Sequence, residues 1–214
     1  THLGRKLEPL ALNLLKCSLA LCFIAMTMWA LHGRIWPSDL GGAELGWLAL
    51  SGLVGLSLGD TAYFAALVRL GPRRTLLLWA LAPPVTAILA VPVLGEPLTA
   101  IMAAGIALTA GGAARVIRER SPAGNVGVVR SGEDRFGLLV GVAAAGCQAT
   151  GGVLAKLGGG QIDAIDITVV RLLFGSLGLL AVVTLTGRLR GALRPLREPA
   201  VLGESPHRLF EKGH

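Results

Sequence analysis

The sequence predicts an all-α integral membrane protein, a polytopic helical bundle of about six transmembrane helices. Of its 214 residues, 53% are hydrophobic and only 15% are charged, and the mean hydropathy is +0.66. About a quarter of the residues of a soluble domain are charged. The apolar residues are also gathered in long stretches, and the Arg and Lys residues fall mainly between them. These observations exclude an ordinary water-soluble domain.

Six apolar stretches meet or approach the length of a membrane span. A bilayer core of about 30 Å needs about 20 mostly apolar residues in helical form, because each backbone polar group must be satisfied within the segment. A signal peptide is an alternative for the first stretch, but that stretch is long and has no clear small-x-small cleavage site. The stretches are residues 11–31, 45–67, 76–94, 99–116, 136–154 and 167–185.

Three prolines interrupt the third stretch. Pro83, Pro84 and Pro92 would break a soluble helix, but a membrane bundle tolerates proline where neighbouring helices satisfy the freed carbonyl groups. We therefore predict a kinked or interrupted helix in this span.

The connections between the stretches predict the domain organisation. Residues 71–74 (GPRR) and 95–98 (GEPL) are short turns that favour antiparallel neighbours. Glu96 is predicted to shape a helix end, since an acid near the N-terminus of the next helix is favourable. The longest polar connection, residues 119–135, is predicted to be a linker, and residues 191–214 a polar tail.

The distribution of cations predicts an orientation. When loops are assigned alternately to two sides, one side collects nearly all of the basic residues, and the other has little beyond Arg34 and Lys156. By the positive-inside rule the first side is cytoplasmic, which predicts a multi-pass protein of the cytoplasmic (inner) membrane. The cations of the first side are Arg5, Lys6, Arg69, Arg73, Arg74, Arg115, Arg118, Arg120, Arg130, Arg135, Arg188, Arg190, Arg194 and Arg197.

Charged residues inside the spans are candidates for function. A charge in hydrocarbon costs a few kcal/mol on insertion scales and therefore usually faces a cavity or a partner. Asp60 lies well inside the second span, whereas Lys16 and Arg171 lie near span ends, where snorkelling to the interface is an equal alternative. Gln148 is a weaker candidate for the same cavity.

Small residues recur at every fourth position in three spans and predict close helix packing. A role of such faces in sliding during transport is the less favoured alternative. The rows are Ser51, Gly55 and Gly59; Ala103, Ala107 and Gly111; and Gly137, Gly141, Ala145 and Ala149.

Motifs of soluble enzymes receive little support. Residues 55–59 match the nucleophile-elbow pattern G-x-S-x-G but lie in an apolar helical run. Asp163 and Asp166 are candidate ligands for a divalent ion in a membrane enzyme that acts on lipid-linked substrates, although a single acidic pair is weak evidence. We expect no cofactor and no resident metal, because the sequence has no phosphate loop, zinc signature or dinucleotide fingerprint. We expect no nucleic-acid partner, because the cations are not spread along one face.

An internal similarity links the first and sixth stretches. Residues 12–16 (LNLLK) and 167–171 (ITVVR) are both aliphatic runs that end in a cation. The two segments are five spans apart and would cross the membrane in opposite directions, as an inverted repeat requires. Inverted repeats are typical of secondary transporters.

The order and spacing of several motifs resemble an EamA-type transporter of the drug/metabolite transporter superfamily, best over residues 45–115. In that family each repeat has five helices and the whole transporter has ten. The resemblance implies that residues 1–118 hold helices two to five of the first repeat and residues 136–190 the first two of the second, so the chain would be a truncated fragment. The motifs are residues 59–67 (GDTAYFAAL), 70–72 (LGP), 81–87 (LAPPVTA), 94–99 (LGEPLT), 105–108 (GIAL) and 111–112 (GG).

The resemblance implies a secondary transporter that moves small metabolites, amino-acid-like compounds or drugs by alternating access, with no chemistry on the substrate. The expected partners are a small-molecule substrate, the lipid bilayer and a second copy in a homodimer. A membrane enzyme and a non-transporting membrane partner subunit are the alternatives. We predict that the substrate path is lined by Lys16, Asp60, Tyr63, Trp79, Gln148 and Arg171.

Overall fold

The computed structural model describes residues 9–38, 40–95, 97–118, 133–160 and 162–185. Every regular element within these ranges is helical, as the sequence predicts. The helices are α1 (Pro9–His32), α2 (Gly42–Ser51), a π-helical segment (Gly52–Gly59), α3 (Asp60–Leu70), α4 (Pro72–Trp79), α5 (Ala82–Leu94), α6 (Ala100–Arg118), α7 (Glu133–Gly159) and α8 (Ala164–Leu185).

Five helical stretches are long and apolar enough to cross a membrane, which confirms a polytopic helical bundle. Many of their large apolar side chains point outwards; Phe23 is 64% exposed and Leu139 is 68% exposed. Lipid, unlike water, imposes no penalty on such surfaces. The stretches are Leu12–His32, Gly42–Leu70, Pro72–Leu94, Arg135–Gly159 and Ala164–Leu185.

The remaining predicted span, residues 99–116, corresponds to α6. This helix has 19 residues, or about 28 Å at 1.5 Å per residue, close to the thickness of the bilayer core. Its described apolar part, Ala100–Gly112, is shorter than a membrane span. It packs mainly against α4 and α5 at the edge of the bundle, and a membrane-crossing role for it stays a prediction.

The second span forms the centre of the bundle. α2, the π segment and α3 follow one another without a break, and together they pack against α7 on one side and against α1 and α8 on the other. In the π segment each peptide bonds a residue five positions back; the N–H of Asp60, for example, donates to the carbonyl of Gly55. Such wide turns are rare and often occur at functional sites.

Glycines allow the central span to touch its neighbours backbone to backbone. A Cβ atom added at Gly151 of α7 would lie 2.8 Å from the Cα of Gly55, and one added at Gly52 would lie 2.3 Å from the backbone oxygen of Arg171 in α8. Ser51 bonds across the first of these contacts, with its Oγ 2.6 Å from the oxygen of Gly151. The helix axes therefore approach as closely as backbones allow.

Two of the three predicted small-residue rows lie in this interior. All members of the rows that begin at Ser51 and Gly137 are buried, whereas Ala103, Ala107 and Gly111 of α6 are exposed. The every-fourth-residue pattern identifies a smooth helix face, but it does not tell which neighbour covers that face.

The third span is interrupted between Trp79 and Ala82, where α4 ends and α5 begins. Pro83 and Pro84 follow in the first turn of α5. The backbone N–H groups of a first turn have no acceptor within the helix, so proline costs no hydrogen bond there. Pro92 lies inside α5, which continues to Leu94. The predicted turns on either side begin at glycines with positive φ, Gly71 (φ +78°) and Gly95 (φ +67°), and of these Gly95 is in the left-handed helical region. The first turn is shorter than predicted, because α4 begins at Pro72.

Several sequence predictions fall outside the described residues. They are the helix-end role of Glu96, the linker between residues 119 and 132, and the polar tail 191–214. The last residues of the predicted linker, from Glu133, already belong to α7.

We predict that Gly151→Ala destabilises the bundle by about 1–3 kcal/mol, because the added methyl group meets the backbone of Gly55 and forces α7 away. The matched control is Gly146→Ala in the same helix, where an added Cβ meets nothing within 4 Å. Unfolding midpoints of the detergent-solubilised variants measure the difference. Equal midpoints for the two variants would contradict the backbone contact.

Candidate substrate cavity

An ion pair between a half-exposed lysine and a buried aspartate joins the first span to the central one. Lys16 Nζ on α1 hydrogen-bonds Asp60 Oδ2 at the start of α3, and the Asp60 side chain is only 6% exposed. Arg171 on α8 is also close enough to attract the Asp60 carboxylate. Two charges that sequence analysis singled out separately therefore form an ion pair, and the third, Arg171, interacts with Asp60 electrostatically.

Asn13 connects the same two spans one turn from Lys16. Its fully buried amide nitrogen donates to the backbone oxygen of Leu56 at 2.8 Å and to Thr61 Oγ1 at 3.0 Å. The first acceptor belongs to the π segment, so the amide helps to hold the wide turn against α1. Sequence analysis missed Asn13, although a lone amide in an apolar span is itself a signal of interhelical bonding.

A cavity of about 590 Å³ lies between the α4–α5 span and the α7 and α8 helices. Of the six residues predicted to line a substrate path, Trp79, Gln148 and Arg171 line this cavity. Its described lining consists of Trp79, Ala80, Ala82, Pro83, Thr86, Ala87, Ala90, Leu94, Met102, Gln148, Gly152, Val153, Lys156 and Arg171.

The other three predicted residues are not among those that line the cavity. The ring of Tyr63 contacts that of Trp79, with centroids 4.6 Å apart, and also meets Phe64 edge to face at 5.5 Å. Tyr63 thus supports Trp79 from α3, and such ring pairs are worth about 0.5–1.5 kcal/mol beyond their burial. Lys16 and Asp60 form the ion pair described above and do not line the cavity. A role in substrate passage stays a prediction for all six.

Two residues that line the cavity each have a buried polar atom without a hydrogen-bond partner among the described residues, Gln148 Oε1 and Arg171 Nε. Both side chains approach Gly55, because a Cβ placed there would lie 3.5 Å from Gln148 Oε1 and 3.5 Å from Arg171 Nη2. Gln148 Oε1 and Arg171 Nη2 are therefore separated by no more than twice 3.5 Å. A buried polar atom without a hydrogen-bond partner costs free energy, which suggests that a ligand or a water molecule supplies the partner.

Lys156 and Thr86 are lining residues that sequence analysis did not select. Lys156 was counted there as a loop cation, but it lies on α7 together with Gln148 and Gly152. Residues four apart share one helix face, so this spacing was a signal that could have identified Lys156. Thr86 gave no such signal. In the structure its hydroxyl donates a hydrogen bond to the Ala82 carbonyl within its own helix.

A second polar cluster joins the end of α1 to the start of α8. Arg34 Nη2 lies 2.9 Å from Asp166 Oδ2, and His32 Nε2 lies 3.6 Å from Asp163 Oδ2. One potential ligand atom each from His32, Asp163 and Asp166 falls within 4.8 Å of the others. The guanidinium of Arg34 already neutralises the Asp166 carboxylate. Ion pairing between the two segments therefore explains the cluster without a metal ion.

We predict that Asp60→Asn destabilises the bundle more than Lys16→Met does. Loss of Asp60 leaves two cations without their shared acid, whereas loss of Lys16 leaves Asp60 beside Arg171. The combined variant should reveal a coupling of about 0.5–3 kcal/mol in a double-mutant cycle of unfolding free energies in detergent. Additive single effects would show that Lys16 and Asp60 do not interact.

Comparison with known proteins identifies the family. The family model of the EamA-like transporter family matches residues 1–118, more than half of the chain. Neither a curated protein nor a solved structure matches the chain significantly. The match covers α1 to α6, including the Lys16–Asp60 pair and the broken third span. The chain therefore belongs to the EamA-like transporter family.

Proposed function

We propose that this protein is a secondary transporter that moves small metabolites, amino-acid-like compounds or drugs across the cytoplasmic membrane by alternating access. The observation that carries the proposal is an open cavity with polar and charged lining residues between membrane-capable helices. In a membrane protein of a transporter family, such a cavity is the natural place for a solute to bind.

The composition of the cavity suits a small organic solute. Its volume of about 590 Å³ falls within the usual range of about 300–1,000 Å³ for ligand pockets. Most lining residues are apolar, and Trp79 offers a flat ring. The polar side chains of the described lining are Thr86, Gln148, Lys156 and Arg171. Such sites hold a ligand through apolar contact and orient it through a few polar groups.

Two features of the helices support movement between states. The break between α4 and α5 lies at the cavity, since Trp79, Ala80 and Ala82 all line it. The π segment lies behind it, next to Gln148 and Arg171. Helix interruptions of this kind change their local geometry at lower cost than a regular helix does.

The predicted inverted repeat gains physical support from the ion pair. Lys16 and Arg171 are the two cations that the internal similarity aligns, and both interact with Asp60. An inverted-repeat transporter alternates between two mirror-related packings of its helices. In this proposal Asp60 pairs with Lys16 in one packing and with Arg171 in the other. The orientation follows from the positive-inside rule, with the α3–α4 turn in the cytoplasm.

The competing hypothesis is a membrane enzyme with Asp163 and Asp166 as metal ligands. The carboxylates do approach His32, but Arg34 is bonded to Asp166. A divalent ion would have to displace that guanidinium. The second polar cluster therefore supports a structural role better than catalysis.

The test is solute uptake by proteoliposomes that contain the protein, screened over a panel of radiolabelled metabolites. Gln148→Ala should lower uptake of a transported solute roughly five- to tenfold, the effect of one lost buried hydrogen bond. Thr150→Ala, an exposed position on the same helix, should leave uptake unchanged. If no solute moves although the protein is correctly folded, transport is the wrong function.

A further inference from the structure

The charges inside the bundle do not balance. Apart from side chains in the first and last turns of each continuous helical stretch, the charged residues of the described spans are Lys16, Asp60 and Arg171. These are two cations and one acid. Asp60 is buried and Arg171 is half-buried, whereas the Lys16 side chain is 43% exposed. Unbalanced charge in the low-dielectric part of a membrane protein is expensive, so an excess cation usually has a partner.

Asp60 is committed to the first of these cations. Its Oδ2 atom accepts the hydrogen bond from Lys16, and its interaction with Arg171 is electrostatic without a hydrogen bond among the described residues. A guanidinium has five N–H donors, and the Nε of Arg171 is buried and unpaired. Arg171 therefore retains donors for another acceptor.

Arg171 is one of the residues that line the cavity, and the charged residues of the described lining are basic. The lining contains Arg171 and Lys156, and it contains no acidic residue among those described. An acid in the lining would have made a cationic solute a good fit. In its absence, an anion is the charge type that the cavity stabilises.

We propose that the cavity binds an amphipathic organic acid whose carboxylate pairs with Arg171. The planar guanidinium offers two parallel N–H groups to such a carboxylate. Gln148 bonds a polar substituent close to the acid group, and the apolar body lies against Trp79 and Met102. The fate of the bound acid rests on the proposed transport function, whereas the binding itself does not.

The test compares acids with their amides, which have nearly the same size and shape but no charge. Suitable soluble probes are the pairs 3-phenylpropionate and 3-phenylpropionamide, and succinate and succinamide. Binding to the purified protein in nonionic detergent is measured by calorimetry and by the shift of the unfolding midpoint. The acid with the apolar ring should bind at least about tenfold tighter than its amide, a preference typical of a charge-assisted pair.

Three variants test whether Arg171 and Gln148 cause the preference for acids over amides. Arg171→Gln should abolish it, and Arg171→Lys should keep it in part, because lysine retains the charge without the planar fork. Gln148→Glu should place a carboxylate near Arg171, raise the unfolding midpoint and abolish acid binding. Thr150→Val, at the exposed position of α7, is the control and should bind like the parent protein. The charge-retaining lysine and the stabilised Gln148→Glu variant keep the test valid if Arg171→Gln fails to fold.

Each outcome decides between the proposals. Equal binding of acids and amides, or no binding of any probe, would overturn the anion site. Acid-selective binding without uptake into proteoliposomes would uphold the anion site and contradict transport. A lipid phosphate is the other source of an anionic group, so the measurement is repeated in nanodiscs of phosphatidylcholine with and without phosphatidylglycerol. Loss of acid binding on addition of phosphatidylglycerol would assign the site to lipid and overturn the soluble acid as its ligand.

Discussion

The arrangement of this bundle depends on direct backbone contact between the central span and the helices on both sides of it. Gly55 meets Gly151 of α7, and Gly52 meets the backbone of Arg171 in α8. Lipid does not drive apolar helices together as water does, so such close van der Waals packing provides much of the association. The same contacts bring Gln148 and Arg171 beside Gly55. Glycine packing therefore sets both the fold and the position of the polar groups.

The polar groups at this junction connect structure to function. A buried acid with two cations is a poor way to stabilise a protein, because the desolvation of each charge offsets much of the attraction. Its presence is easier to explain if the charges act on a solute or change partners during movement. The broken α4–α5 span forms the opposite wall of the cavity, and the π segment lies behind the charges. The break in the third span and the Arg171 side chain thus both line one cavity, which fits the proposed function.

Much of this structure could be predicted from the sequence, because lipid imposes simple rules on composition. The length and apolar character of the spans, the break before Pro83 and the buried row that begins at Gly137 all follow from local patterns. Pairing between distant helices does not. Sequence identified Lys16 and Asp60 as costly charges, but only the packing of α1 on α3 shows that they meet. Asn13 and Lys156 were missed because each was judged by its own surroundings, without its neighbours across the bundle.

Accessibility of the cavity to water is the property on which substrate binding depends most directly. In a variant without native cysteines, single cysteines at Thr86 and Gly152 line the cavity, and one at Leu139 faces outwards on α7. A membrane-impermeant thiol reagent, applied to both faces of the reconstituted protein, should label the two cavity positions and leave the third unlabelled. Equal protection of all three positions would show that the space between α5 and α7 is dry, and that no polar solute enters it.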